Sequence, residues 1–249
     1  GARIDLQPAW VLKATPYRDT SLLLECLTLD HGRVGLVARG ARGPRTRTRA
    51  LLQAFRPLLL SWTGRGDLGG LNAVEAAGAP LALTGEQVFS GWYLNELLLR
   101  LLGRHDPHPG VYQAYALALG GLAADPGLGD SALRRFELRL LAELGFGLDL
   151  PAVLDAQGWY LLRPDAGLQA VSESTAGAVR GRSLIALRDD CLQDSADLRA
   201  ARGVLRAALA PLLTDPEAAR RLGRTGREAV LSNFTATHMA ERFLKVLGQ

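Results

Sequence analysis

The apolar positions change period partway along the chain. Over residues 9 to 76 they form short, strand-length runs: Trp10-Val11-Leu12, Ser21 to Leu29, Val34 to Ala38, Phe55 to Trp62 and Leu71 to Val74. Gly- and Pro-bearing connections such as Asp30-His31-Gly32 separate them. Five short strands so closely spaced predict a small closed or nearly closed barrel, because closure removes exposed strand edges. From residue 81 the spacing becomes helical. Phe89, Tyr93, Leu94, Leu97, Leu98, Leu101 and Leu102 recur at three and four, a broad stripe expected to be buried. The break Asp106-Pro107-His108-Pro109 ends this helix, and others are expected from Val111 to Ala123 and from Ser131 to Leu144. Residues 146–194 are irregular, with strands expected at Trp159 to Leu162 and Gly167 to Val171. A helix resumes from Ala196 to Leu213. Thr214-Asp215-Pro216-Glu217 has the spacing of a capping box with proline in the first turn, so a new helix should start there, and Thr235 could cap a last one.

Composition narrows the classes of function. No apolar run reaches the roughly 18 residues of a membrane span, and Gly1-Ala2-Arg3-Ile4-Asp5 lacks the layout of a signal peptide, so a cytoplasmic chain without membrane contact is expected. Cys26 and Cys191 stand far apart and are read as two buried thiols rather than a disulfide or zinc site. The net charge is only +4, but its distribution is uneven. Between Asp30 and Asp67 there is no carboxylate, while Arg33, Arg39, Arg42, Arg45, Arg47, Arg49, Arg56 and Arg65 all fall there. An unbalanced positive stretch of this kind fits contact with a phosphate backbone. Its segment Arg39 to Arg49 is a loop by its Gly and Pro content.

Catalytic motifs are sparse. Gly64-Arg65-Gly66-Asp67-Leu68-Gly69-Gly70 contains a literal G-x-G-x-x-G, but strand-like runs flank it on both sides where a dinucleotide site needs a helix, so it reads as a hairpin connection. His105, Asp106 and His108 lie in a Pro-containing loop without the scaffold of a metal site. No nucleophile elbow or phosphate-loop lysine is present, and no cofactor is expected. In the helix from Ser131, Leu133, Phe136, Leu140 and Leu144 make the apolar face, flanked by Arg134, Arg135 and Arg139. Arg135 and Arg139 are a like-charge i, i+4 pair that an anionic partner would relieve. Glu137 falls in the apolar stripe and should pair with Arg134 or with another helix.

Several strings, in order, resemble the RecO family of bacterial recombination mediators. They are Val11 to Leu24, His31-Gly32-Arg33-Val34-Gly35-Leu36-Val37-Ala38-Arg39-Gly40-Ala41-Arg42, Leu52 to Leu60, Gly64-Arg65-Gly66, Tyr93-Leu94-Asn95-Glu96-Leu97-Leu98 and Leu133-Arg134-Arg135-Phe136-Glu137-Leu138. The resemblance implies an α+β chain. An N-terminal OB-fold DNA-binding domain would occupy residues 1–80 and a helical domain 81–213, with a β excursion near 146–194. It implies binding of single- and double-stranded DNA, strand annealing and partnership with RecR. It also implies contact with the acidic C-terminal tail of single-stranded DNA-binding protein (SSB), and indirect help to RecA without catalysis. By position, Arg39, Arg42, Arg45, Arg47 and Arg49 match the family's basic loop, and Arg134 and Arg135, with Arg139 beside them, match the tail-binding motif. Without a four-cysteine set between the later helices, the chain resembles the family's zinc-free members. Residues 214–249 depart from the pattern and resemble the last helices of GT-B glycosyltransferases.

Overall fold

The computed structural model describes residues 3–43, 47–64 and 66–223. Five strands, β1 (Arg3–Tyr17), β2 (Ser21–Thr28), β3 (Gly32–Ala38), β4 (Leu58–Thr63) and β5 (Gly69–Ala76), close into a barrel of order β1-β2-β3-β5-β4. A single helical turn, α1 (Thr48–Leu51), lies between β3 and β4. All neighbours are antiparallel except β3 and β5, which make a short parallel pairing. β1 serves two neighbours, β4 with its first half and β2 with its second, and it bends through bulges between Ile4 and Gln7 and between Val11 and Lys13. Its start at Arg3 lies outside the strand expected at Trp10. Pro8 interrupts the pattern, and Leu6, at φ 49°, gives its N–H to the Ser61 hydroxyl instead of to a ladder partner.

Ala9, Val11, Leu24, Cys26, Leu36, Leu58, Leu60 and Trp62 point into the barrel and fill it. The alternate β1 residues Trp10 and Leu12 are buried too, because they leave the barrel on the side that the helices cover. One strand buried on both faces therefore reads as an unbroken apolar run. The helices are α2 (Glu86–Leu101), α3 (Pro109–Ala124), α4 (Gly129–Glu143), α5 (Gly181–Arg188) and α6 (Ser195–Thr214). Trp10 meets Tyr115 of α3 edge to face at 5.6 Å. Asn95 of α2 donates to the Leu12 carbonyl (2.9 Å) and accepts from the Tyr115 hydroxyl (2.5 Å), so the buried Asn95 amide and Tyr115 hydroxyl are satisfied between barrel and helices.

The β excursion is a three-stranded sheet of order β7-β6-β8, with β6 (Trp159–Arg163), β7 (Gly167–Val171) and the two-residue β8 (Val179–Arg180). β8 and α5 were not foreseen, being too short to show a period. The segment 216–223 is helical, as its proline predicts, but the cap differs from the expected box. Asp215 accepts from the Ala218 N–H (2.9 Å), while the Thr214 hydroxyl turns back to the Ala210 carbonyl (2.9 Å). The rest of the tail, including the Thr235 cap, lies outside the described residues.

Two burial expectations are corrected. In α2, Leu94, Leu97, Leu98 and Leu101 are buried, but Phe89 is 75% exposed and Tyr93 38%. The helix turns only part of its stripe to the core. Cys26 is buried, whereas Cys191 follows the exposed end of α5 and is itself exposed.

Candidate nucleic-acid interface

A cleft opens at one end of the barrel. The β1–β2 turn (Tyr17, Arg18, Thr20), the end of β3 (Val37, Arg39) and the entry to β5 (Leu68, Gly69) line it. Arg18 takes a left-handed conformation at φ 51°, and its guanidinium lies 5.2 Å from the centre of the Tyr17 ring. The loop after β3 is tied to this turn: the Arg42 backbone N–H donates to the Thr20 carbonyl (2.9 Å) and its guanidinium to the Arg18 carbonyl (3.2 Å). Arg39 and Arg42 are thereby brought beside Arg18, which the sequence pattern had not singled out. The signal was there, in an Arg-Asp-Thr turn between two strands.

Arg39, Arg42, Arg47 and Arg49 are all exposed, and neither they nor Arg18 has a carboxylate ion pair among the described residues. Arg45 lies outside those residues. Exposed guanidinium groups without a carboxylate partner among the described residues can offer forked donors to phosphate oxygens. Tyr17 adds an aromatic face beside them.

Arg33 is different. It is largely buried and bonds Glu25 at 3.1 Å, and Arg104 takes the other oxygen of the same carboxylate. Arg104 also donates to the Asp67 carbonyl (2.7 Å), so the cluster joins β2, β3, the β4–β5 turn and the segment after α2. Burial lowers the Arg33 pKa, against the opposing pull of Glu25. Gly32, at φ 66°, allows the close approach, since a Cβ there would collide with the Asp106 backbone. Arg33 is thus held inside the fold, apart from the loop arginines.

On α4 the arginines separate by one residue. Arg134 is buried and pairs with Glu137 (3.1 Å), which also accepts from the Tyr93 hydroxyl of α2 (2.6 Å). Burial pushes the Glu137 carboxyl up from its ordinary range, against the pull of Arg134 and the Tyr93 hydroxyl. Arg135 and Arg139 stay exposed, but each already has a carboxylate: Asp190 for Arg135, and Glu143 for Arg139 at 2.7 Å. Their mutual repulsion is therefore relieved within the chain. Both rim a groove between α3 and α4 floored by Ala114, Leu117, Gly121, Leu128 and Phe136.

The G-x-G-x-x-G segment is the β4–β5 hairpin connection, with Gly64 and Gly66 at positive φ. His108 is buried and lies 3.3 Å from Asp106, and no cluster of three metal-ligand side chains occurs among the described residues. No helix among them is long and apolar enough to cross a membrane.

A closed five-stranded Greek-key barrel with an arginine-bearing cleft, backed by a helical bundle, defines a binding protein of the OB class. Residues 5–79 match the family model "Recombination protein O N terminal" and residues 83–152 match "Recombination protein O C terminal". The chain is 45% identical to the DNA repair protein RecO of Nitrosococcus oceani over 242 residues, covering 91% of this chain and 98% of that one. It is 44% identical to the RecO of Methylococcus capsulatus, covering 84% and 88%, and 43% identical to that of Alkalilimnicola ehrlichii, covering 92% and 96%. The chain belongs to the RecO family of DNA repair proteins, which are recombination mediators rather than enzymes.

Proposed function

We propose that the chain binds single- and double-stranded DNA at the barrel cleft, anneals complementary strands in the cytoplasm and, with RecR, helps RecA onto strands coated by SSB. The observation that carries this reading is the set of exposed arginines with no carboxylate ion pair among the described residues: Arg18 and Arg39 in the barrel cleft, Arg42 tied to its turn, and Arg47 and Arg49 further along the same acid-free segment. They neutralise phosphates without reading sequence, as annealing requires. The barrel residues 1–80 act as the DNA-binding part and residues 81–213 as the partner-binding part. The acidic tail of SSB sits in the α3–α4 groove, its carboxylates drawing Arg135 and Arg139 away from Asp190 and Glu143 and its apolar end covering Leu117 and Leu128. Arg134 contributes by holding Glu137 and hence the spacing of α4 against α2. Zinc has no part in this function, and residues 214–249 are related in sequence to the ends of GT-B glycosyltransferases.

The test is binding of a fluorescent oligonucleotide across a salt series, with Arg42, Arg45, Arg47 and Arg49 replaced together by alanine. About five neutralised phosphates give log K against log[salt] a slope near −3.5 on single strands, and the variant should flatten it. Equal slopes for the two proteins would remove the cleft from the interface.

A further inference from the structure

The cleft at the end of the barrel holds more than charge. Part of its floor comes from β3 and β5, whose parallel register sets Val37 beside Gly70. Residues paired across a sheet share a face, so a side chain at position 70 would stand in the cleft next to Val37. Packing does not demand the glycine there: a Cβ at Gly70 would meet nothing closer than the Thr63 carbonyl oxygen at 3.9 Å. At Gly69, by contrast, a Cβ would press on the Leu36 and Trp62 side chains at 3.0 Å. The bare backbone at Gly70 leaves the floor open to close approach by a ligand. Leu68, 44% exposed, adds an apolar rim.

Tyr17 supplies the aromatic ring among the lining residues. The registers Tyr17 with Ser21 and Leu22 with Ala38 put Tyr17 and Arg39 on either side of β2, and both line the cleft. Tyr17 is half-buried, and the Arg18 guanidinium 5.2 Å from its centre keeps ring and charge together. No carboxylate residue is among those lining the cleft. Asp19 and Asp67, the nearest in sequence, are not part of its wall, and Asp19 accepts from Arg42 through its backbone carbonyl (3.4 Å).

A ring over an apolar floor would suit many ligands. Three guanidinium groups without a carboxylate ion pair, two lining the cleft and that of Arg42 tied to its turn, narrow the choice to an anion that carries a flat ring of its own. The cleft encloses about 370 Å³, near the lower end of the roughly 300–1,000 Å³ of small-ligand sites, which is room for one nucleotide unit and not for a duplex. We propose that Tyr17 stacks on one unpaired base of a DNA strand in this cleft, above the bare floor at Val37 and Gly70, while Arg18, Arg39 and Arg42 hold the neighbouring phosphates. A base inside a duplex has both faces covered and must be unstacked before it can meet the ring, so the cleft favours the single strand. The inference rests on the DNA-binding reading above and adds to it the residue that sets strand preference.

The test uses the full chain and three labelled probes of equal length, oligo(dT), a strand of abasic sites and a duplex, each across a salt series. Tyr17→Ala should weaken oligo(dT) binding at least about fivefold with the salt slope unchanged, because stacking contributes affinity without releasing counterions. Binding of the abasic strand and of the duplex should shift by less than about twofold, since neither offers a free base. Tyr17→Phe keeps the ring and should retain nearly all oligo(dT) affinity. Equal losses on oligo(dT) and the abasic strand, or a flatter salt slope, would mean that Tyr17 only positions Arg18, and would overturn the stacking proposal. Parent-like oligo(dT) binding by Tyr17→Ala, with the four-arginine variant impaired, overturns it too and leaves the DNA reading standing. Failure of the parent chain to bind any of the probes at low salt overturns both readings.

Discussion

The arginines of the barrel loop and those of the helical side are the same residue used in opposite ways. Arg39, Arg42, Arg47 and Arg49 sit on a segment without carboxylates and find no ion pair among the described residues. Arg134, Arg135 and Arg139 sit on a helix where a carboxylate is always within reach, at i+3, i+4 or across the turn after α5. Arg33 belongs by sequence to the first set and by structure to the second, because β2 places Glu25 next to it. What decides whether a guanidinium is available to an outside anion is the nearest carboxylate in space, and local charge bias reveals that only when the segment is a loop.

The contrast is broken most severely at Glu137. Replacing it by alanine leaves Arg134 buried with no carboxylate, and stability in urea should drop by about 3–5 kcal/mol. Replacing Arg134 and Glu137 together by leucine and methionine should recover most of that loss, since a buried pair contributes little beyond its apolar equivalent. A double variant no more stable than the single one would mean that Arg134 has other partners that matter more.

High pH separates the buried interior from the surface. Burial pushes the Cys26 thiol and the Tyr115 hydroxyl well above their ordinary values of 9.0 and 10.0. Both keep their protons in the folded chain while the unfolded chain loses them, so stability is full below those values and falls as pH rises past them. The slope is about 1.4 kcal/mol per pH unit for each group, beginning near pH 9 for Cys26. Cys26→Ala should abolish the part of the slope between pH 9 and 10. Only Cys191 should react with a thiol reagent in the native chain; rapid labelling of both cysteines would show that the barrel interior opens readily.

The surface arginines should show the smallest stability effect. Arg39→Ala and Arg42→Ala should each change unfolding free energy by no more than about 0.5 kcal/mol, the usual range for exposed side chains away from caps and buried networks. A larger loss at Arg42 would indicate that its bond to the Arg18 carbonyl is structural.

Much of the fold was legible because its two halves have clean periods. The barrel shows in five short runs, and α3, α4 and α6 show in their leucine spacing, with ends within two residues of those observed. β1 was truncated in the reading because Pro8 and a bulge hide its first half, and β8 and α5 were missed because two and eight residues hold no repeat. The stripe on α2 extends past the core, and periodicity cannot tell a core face from an exposed one; Phe89 and Tyr93 satisfy the same spacing as Leu97 and Leu101. The candidate site was half legible. Charge bias pointed to the loop arginines, but the placement of Arg18 beside them depends on a left-handed turn, and the withdrawal of Arg33 depends on a carboxylate 8 residues away that only the fold brings into contact, whereas the Arg134–Glu137 pair at i, i+3 was legible in the helix.

If barrel arginines hold phosphate and the exposed α4 arginines do not, the two sets differ in salt dependence. The most direct measurement compares the salt dependence of oligo(dT) binding for Arg39→Ala/Arg42→Ala with that for Arg135→Ala/Arg139→Ala. The first pair should reduce the magnitude of the slope by about 1.4, two phosphate contacts on a single strand, and the second should leave it unchanged. Equal reductions, or a reduction only in the α4 pair, would contradict the division between the two sets.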